Sequence, residues 1–159
     1  MKSIITLTLL AILIPSISYA EDPKGVEALP SDLRELLSQE MKALQNGMMS
    51  IVPAYVSGNW DEIAVTAGKM KNSYILKQSL TESQVKQLHS ALPHAFIEKD
   101  KNFHYLAGML EHVAINKKSE LINFYYSKMV ESCVGCHEAF ATHKFPALSS
   151  KKAKGEHKH

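Results

Sequence analysis

The sequence predicts an all-α protein, an antiparallel four-helix bundle with up-down-up-down topology. Apolar residues recur at three- and four-residue intervals in four long segments, and this is the period of an amphipathic helix. No segment alternates apolar and polar residues as a half-buried strand would. The connections between the long segments are short, and short connections favour an up-and-down bundle.

The first predicted helix runs from about Asp32 to Ser57. Ser31 is expected to cap its start and Gly58 to end it, whereas Pro53 should bend its last turns because the ring removes a backbone donor. An apolar stripe along this helix is expected to face the core. It consists of Leu37, Met41, Leu44, Met48, Ile51 and Tyr55.

The second predicted helix begins at a capping box, because Glu62 follows Asn59 by three residues. A shorter helix with a similar box at Thr81 should end before Pro93. The third long helix ends near Asn116. Its apolar stripe consists of Phe103, Ala107, Leu110 and Ala114.

The fourth long helix is predicted from about Ser119 to Phe145, where Pro146 stops it. Its apolar stripe consists of Leu121, Tyr125 and Met129. A motif of five residues follows this stripe within the same helix, at positions 133–137.

The motif is Cys133-Val-Gly-Cys136-His137, and it contains the only two cysteines of the chain. Cys-x-x-Cys-His is the attachment signature of c-type haem. Two thiols form thioether bonds with the haem vinyl groups, and the adjacent imidazole becomes an axial ligand of the iron. On a helix, spacings of three and four place all three side chains on one face. The sequence therefore predicts one covalent haem c on the last helix.

Three other interpretations of the motif are weaker. Cys133, Cys136, His137 and His143 could form a zinc site, but the usual zinc pattern separates its two pairs more widely. A redox dithiol is expected near a βαβ pattern, which the sequence lacks. A plain disulfide would leave His137 without a role.

The N-terminus predicts export. Lys2 precedes an apolar run from Ile4 to Ile14, and Ser18-Tyr-Ala20 has the small residues of a cleavage site. We expect residues 1–20 to be a signal peptide, since the run is too short to span a membrane. Covalent haem attachment in bacteria belongs to the outer face of the inner membrane, so a periplasmic location is expected.

Composition predicts one domain, residues 21–148, followed by a disordered tail rich in lysine and histidine at residues 149–159. The formal net charge of +2 is nearly balanced, and no basic patch with interleaved aromatic residues predicts nucleic-acid binding. No second apolar segment approaches spanning length, so no stable membrane span is expected.

These features resemble the class II c-type cytochromes, the cytochrome c′ family, over about residues 32–146. That family also carries Cys-x-x-Cys-His late, on the last helix of a four-helix bundle. Weaker matches are the Met-Met and Gly-Asn-Trp sequences at residues 48–49 and 58–60 and the Phe-x-x-x-Ala-x-x-Leu run at residues 103–110. The chain departs from many members at Ala141, where they have a basic residue.

The resemblance implies that a first-helix residue lies opposite His137. A methionine there gives six-coordinate iron suited to electron transfer, whereas a non-ligand leaves five-coordinate iron that binds gases. An antiparallel pairing of the first and fourth helices places His137 opposite about Ser38, so Met41 lies within one turn. Met48 is then roughly 15 Å along the axis. Met41 is therefore the expected sixth ligand.

Histidines are the competing candidates for the sixth position. Those in the third helix could face the haem, and those beside Pro93 are expected at the surface. They are His104 and His112 in the first group and His89 and His94 in the second.

The expected function is electron transfer by a periplasmic monohaem cytochrome with His/Met-ligated iron, in exchange with periplasmic redox partner proteins. The alternative is a five-coordinate haem protein that binds a diatomic gas such as nitric oxide. No paired carboxylates or nucleophile-base arrangement is legible, so no enzyme activity is expected. Family members often dimerise through their first two helices, and a homodimer is therefore one expectation.

Overall fold

The computed structural model describes residues 25–149, and these residues form an all-helical fold without a strand. The predicted all-α class is therefore confirmed for this part of the chain. The predicted signal peptide and, apart from Ser149, the predicted tail lie outside the described residues. The helices are α1 (Ser31–Val56), α2 (Trp60–Lys71), α3 (Leu76–Ser79), α4 (Glu82–Ala91), α5 (His94–Ile115) and α6 (Ser119–Phe140). Short 3₁₀ turns lie at Val26–Ala28 and Pro146–Leu148.

Local capping signals explain where α2 and α4 begin. The Asn59 side chain accepts a hydrogen bond from the Glu62 backbone N–H at 3.3 Å, and its amide donates to the Glu62 carboxylate at 2.8 Å. Thr81 and Gln84 form the reciprocal capping box of α4. Both predicted starts are confirmed. Gly58 follows α1 with a φ of 71°, a conformation that favours glycine.

Other boundaries differ from the prediction. Ser31 is the first residue of α1 and makes no capping hydrogen bond, because Pro30 occupies the cap position. The last helix ends at Phe140 instead of Phe145. After it the chain turns, and the N–H groups of Lys144 and Phe145 both donate to the Ala141 carbonyl at 2.9 Å. The short helix α3 has no counterpart among the predicted elements.

The buried side chains form two apolar clusters. We call the larger one the main core; α1, α2, α5 and α6 all contribute to it, and its fully buried members include Ile51, Ile63, Met70, Leu110, Ile122 and Met129. We call the smaller one the second cluster. It consists of Leu29, Leu33, Leu37, Leu92 and Phe96, with Cys136 and Phe140 among the partly buried residues packed against it.

The helices are packed unequally. α5 contacts both α2 and α6 extensively, and α1 packs mainly on α2. By contrast, α1 and α6 touch in few places. A cavity of about 140 Å³ opens between them, which we call the α1–α6 cleft. Its lining residues are Ile51, Val52, Tyr55, Ile122, Asn123 and Tyr126.

Within residues 25–149, no helix combines the length and the apolar character that crossing a lipid bilayer requires.

The packing predicts the effect of truncating a core leucine. Leu110→Ala should lower the free energy of unfolding by about 2–5 kcal/mol, because this fully buried side chain would leave a cavity in the main core. Leu121 was expected on the core stripe but is 47% exposed, so it supplies the matched control. Leu121→Ala should cost less than about 1 kcal/mol in the same urea titration. Equal costs for the two variants would contradict the described core.

Candidate haem-attachment site

All five motif residues lie within the last eight residues of α6, the last of the helices, as the sequence predicted. Both cysteines are free thiols and partly buried. Cys133 packs against the main core, whereas Cys136 packs against the second cluster. The motif therefore lies at the junction of the two clusters, with one sulfur beside each apolar region.

The surroundings of the thiols keep them protonated near neutral pH. Burial raises the pKa of Cys133. Burial is also the largest cause of the raised pKa of Cys136, and the negative charge of Asp100 adds to it while Lys99 opposes it. Both sulfurs are therefore neutral S–H groups, and Cys136 also has the charges of Asp100 and Lys99 nearby.

The His137 imidazole stacks on the ring of Phe145, with centroids 4.3 Å apart and planes 14° apart. The turn after α6 brings Phe145 back over the histidine, through the hydrogen bond to the Ala141 carbonyl. No hydrogen bond or ion pair joins the imidazole to another residue of the described range. Burial lowers the pKa of His137, which favours the neutral imidazole that a metal ligand requires.

The donor set fits a covalently attached haem. Two neutral thiols and a neutral imidazole come from one face of one helix, and apolar clusters border that face. Cys133 and Cys136 would hold the porphyrin, and His137 would be the proximal ligand. Within residues 25–149, no three His, Cys, Asp or Glu side chains are grouped to hold a metal ion, so the four side chains of the zinc alternative do not converge.

Met41 lies at the edge of the buried stripe of α1, and its predicted burial is wrong. Its side chain is 37% exposed. The buried positions nearest to it are Leu37, Glu40 and Leu44, so the centre of the stripe passes through Glu40. Because each helical residue is rotated by about 100° from the previous one, Met41 is displaced to one side of that centre.

Glu40 is a residue of the site region that the sequence interpretation missed. Its side chain is 1% exposed, and its two carboxylate oxygens accept four hydrogen bonds from residues 73–76, the last of which is the first residue of α3. The signal was present in the spacing, because the buried leucines at 33, 37 and 44 leave position 40 on the same face. An acidic residue on an apolar face requires buried partners.

His104, a competing candidate ligand, has both ring nitrogens engaged. Nδ1 lies 2.7 Å from the Met70 carbonyl oxygen and donates to it, and Nε2 lies 3.5 Å from an Asp100 carboxylate oxygen. The other three competing histidines are exposed, and they are His89, His94 and His112. His143, after α6, lies with Nδ1 4.0 Å from a Glu27 carboxylate oxygen.

Comparison with known proteins adds no relative: no protein-family model, curated protein or solved structure matches this chain.

The contacts of His104 predict a pH-dependent contribution to stability. The hydrogen bond with Asp100 is the largest cause that raises the pKa of His104; burial opposes it, and the Asp100 charge, the Met70 carbonyl and the Glu40 charge add to the rise. A raised pKa in the folded state gives a contribution fully present below the ordinary value of 6.5. That contribution is lost as the pH rises through the folded-state pKa.

His104→Gln should therefore destabilise the protein more at pH ~5.5 than at pH ~8.5, by up to about 1 kcal/mol. Urea unfolding of both proteins at the two pH values measures the difference. His112→Gln, at an exposed position of the same helix, is the control and should show no such dependence. A cost for His104→Gln that grows with pH would contradict the assigned ion pair.

Proposed function

We propose that this chain is a periplasmic monohaem c-type cytochrome that transfers electrons. In this proposal Cys133 and Cys136 hold the haem, and His137 and Met41 ligate its iron. Bound haem supplies one-electron chemistry, while the protein binds, orients and tunes it. The proposal includes the expected signal peptide, periplasmic redox partners and an antiparallel, up-down-up-down order of α1, α2, α5 and α6.

The geometry of the α1–α6 cleft carries the proposal. Met41 precedes Val52 by eleven positions, and His137 follows Tyr126 by eleven positions. At 3.6 residues per turn, eleven positions are three turns to within about 20°. Val52 and Tyr126 both line the cleft. Met41 therefore lies on the same face of α1 as Val52, about 16 Å nearer the start of that helix. His137 lies on the same face of α6 as Tyr126, about 16 Å nearer the end of that helix.

An antiparallel α1–α6 pair would bring Met41 and His137 to the same level. Contacts at two levels support this direction. Cys136, near the end of α6, packs against the cluster that contains Leu37 from the first half of α1. At the other end, Val52 lines the cleft together with Tyr126. Met41 lies between these two levels of α1, so an antiparallel pair would bring it to the level of the motif.

The half-exposed position of Met41 agrees with a ligand better than with a packing residue. A methionine that only filled space would gain most from complete burial. Here Met41 is 37% exposed, and its helical alignment with Val52 would turn the thioether toward the side where α1 and α6 have few contacts. A soft, neutral thioether from Met41 together with a neutral imidazole from His137 would favour ferrous iron and raise the reduction potential.

Five-coordinate iron with a bound diatomic gas is the second candidate function. The observation that favours it is also the exposure of Met41, because no hydrogen bond or tight packing fixes a thioether at the edge of a helix. His137 alone would then ligate the iron, and the separation of α1 from α6 would admit the gas. The spin state of the ferric protein distinguishes the two functions.

The motif at the end of the last helix supports the resemblance to class II c-type cytochromes. In class II proteins a homodimer through the first two helices is common. We include the homodimer in the proposal as an expectation, measurable by sedimentation.

The haem should be covalent. Acid-acetone extraction of the purified protein should leave the colour in the pellet, because thioether bonds to Cys133 and Cys136 survive acid. The double variant Cys133→Ala plus Cys136→Ala should lose covalent colour. Colour that moves into the acetone phase from the unaltered protein would refute the c-type proposal, whatever the fate of Met41.

Met41→Leu should open the iron while keeping the fold, since the two side chains have similar volumes and such swaps cost less than about 1.5 kcal/mol. We expect the ferric spectrum to shift toward high spin, the reduction potential to fall, and carbon monoxide to bind the ferrous protein faster. Optical spectra, potentiometry and stopped-flow mixing measure these changes.

Met48→Leu is the matched control. Met48 belongs to the same helix as Met41, lies about two turns from it and is buried in the main core. It should change none of the three measurements. A low-spin spectrum that survives Met41→Leu would show that another residue ligates the iron. A high-spin spectrum in the unaltered protein would favour gas binding.

A further inference from the structure

Glu40 is the only carboxylate in residues 25–149 with a buried side chain, and it directly precedes the proposed ligand Met41. An aliphatic residue would continue the apolar face formed by Leu33, Leu37 and Leu44. Such a residue would avoid the free-energy cost of removing a charge from water. The carboxylate therefore supplies something that an aliphatic side chain cannot, which is a set of directional contacts.

The contacts hold both carboxylate oxygens. Oε1 accepts hydrogen bonds from the Ser73 hydroxyl at 3.2 Å and from the Tyr74 backbone N–H at 2.9 Å. Oε2 accepts from the backbone N–H groups of Ile75 at 2.6 Å and Leu76 at 3.2 Å. Three of the four donors are successive backbone groups at the start of α3, which cannot turn to follow a moving acceptor.

These contacts oppose rotation of α1 about its own axis. Apolar packing also resists such a rotation, but it has no preferred direction, whereas the hydrogen bonds of Glu40 do. A rotation of about 30° would move the end of a side chain by roughly 3 Å, given a helix radius of 5–6 Å with side chains. That displacement would separate the Glu40 oxygens from their donors and would carry Met41 sideways by the same distance.

We propose that Glu40 is the positioning residue of the sixth ligand. By binding the segment 73–76, its carboxylate fixes the rotation of α1 and thereby holds the Met41 thioether on the side of α1 that faces α6. The assignment rests on the proposed function, since it requires Met41 to ligate iron. The assignment identifies Glu40 as the residue on which coordination of the iron by Met41 depends.

Glu40→Gln in the full-length holoprotein is the test. Glutamine keeps the shape and one acceptor oxygen, but its NH₂ group cannot accept from the backbone N–H groups that face whichever of the two oxygen positions it occupies. We expect the folded variant to release Met41 more often, so that cyanide binds the ferric protein about tenfold faster. A larger high-spin fraction should accompany the faster binding. Loss of a buried charge alone would shift the potential without changing the spin state.

Two further variants separate positioning from general loosening. Ile63→Val also weakens the fold, but Ile63 is a residue of α2 in the main core, to which Glu40 does not belong. It should leave the cyanide rate unchanged. Ser73→Ala removes one of the four donors and should raise the rate in the same direction by a smaller factor. If Glu40→Gln does not yield folded holoprotein, the rate of Ser73→Ala decides.

The outcomes are distinct. A folded Glu40→Gln variant that binds cyanide at the rate of the unaltered protein would overturn the positioning role, and so would an equal acceleration by Ile63→Val. Met41→Leu, measured in the same assay, reports on the proposed function itself. If Met41→Leu fails to accelerate cyanide binding, then Met41 is not the ligand and both proposals fall. If it accelerates binding and Glu40→Gln does not, only the positioning role falls.

Discussion

The close packing of α2 against α5 is the constraint on which the remaining arrangement depends. Gly68 on α2 and Gly108 on α5 lie at this contact, where the side chains of Glu111 and Lys71 from the opposite helix lie over them. Those two side chains form an ion pair across the same contact. Because α5 packs extensively on both α2 and α6, α1 packs chiefly on α2 and has few contacts with α6. The space that results is the α1–α6 cleft, which Val52 and Tyr126 line from the two sides.

Two kinds of interaction, apolar burial and directional contacts, determine the arrangement of side chains around the motif. Apolar burial surrounds the cysteines, because each sulfur packs against a different cluster and neither needs a polar partner. Directional contacts orient the side chains around them. Phe145 stacks on the imidazole of His137, and the carboxylate of Glu40 is held at both oxygens. Burial has no preferred direction, so the orientation of the ring and of α1 depends on these few contacts.

Features that depend on neighbouring residues could be predicted from the sequence, whereas those that depend on distant partners could not. The caps at Asn59 and Thr81 involve residues three positions apart, and both were predicted correctly. α3 could not be predicted, because its first N–H groups are satisfied by Glu40, which lies more than thirty positions earlier. The burial of Met41 was misjudged for the same reason: an apolar stripe that omits a buried acid is displaced by one residue.

The separation in sequence between Glu40 and its donors also orders the events of folding. The donors lie 33 to 36 positions along the chain, whereas the motif on α6 spans five consecutive residues. Contacts that close long loops cost more entropy and form later than local ones. We therefore expect the face of α6 that carries both thiols and the imidazole to form before the rotation of α1 is fixed. On partial unfolding we expect the reverse order, in which the Met41 side of the molecule loosens while the His137 side is still intact.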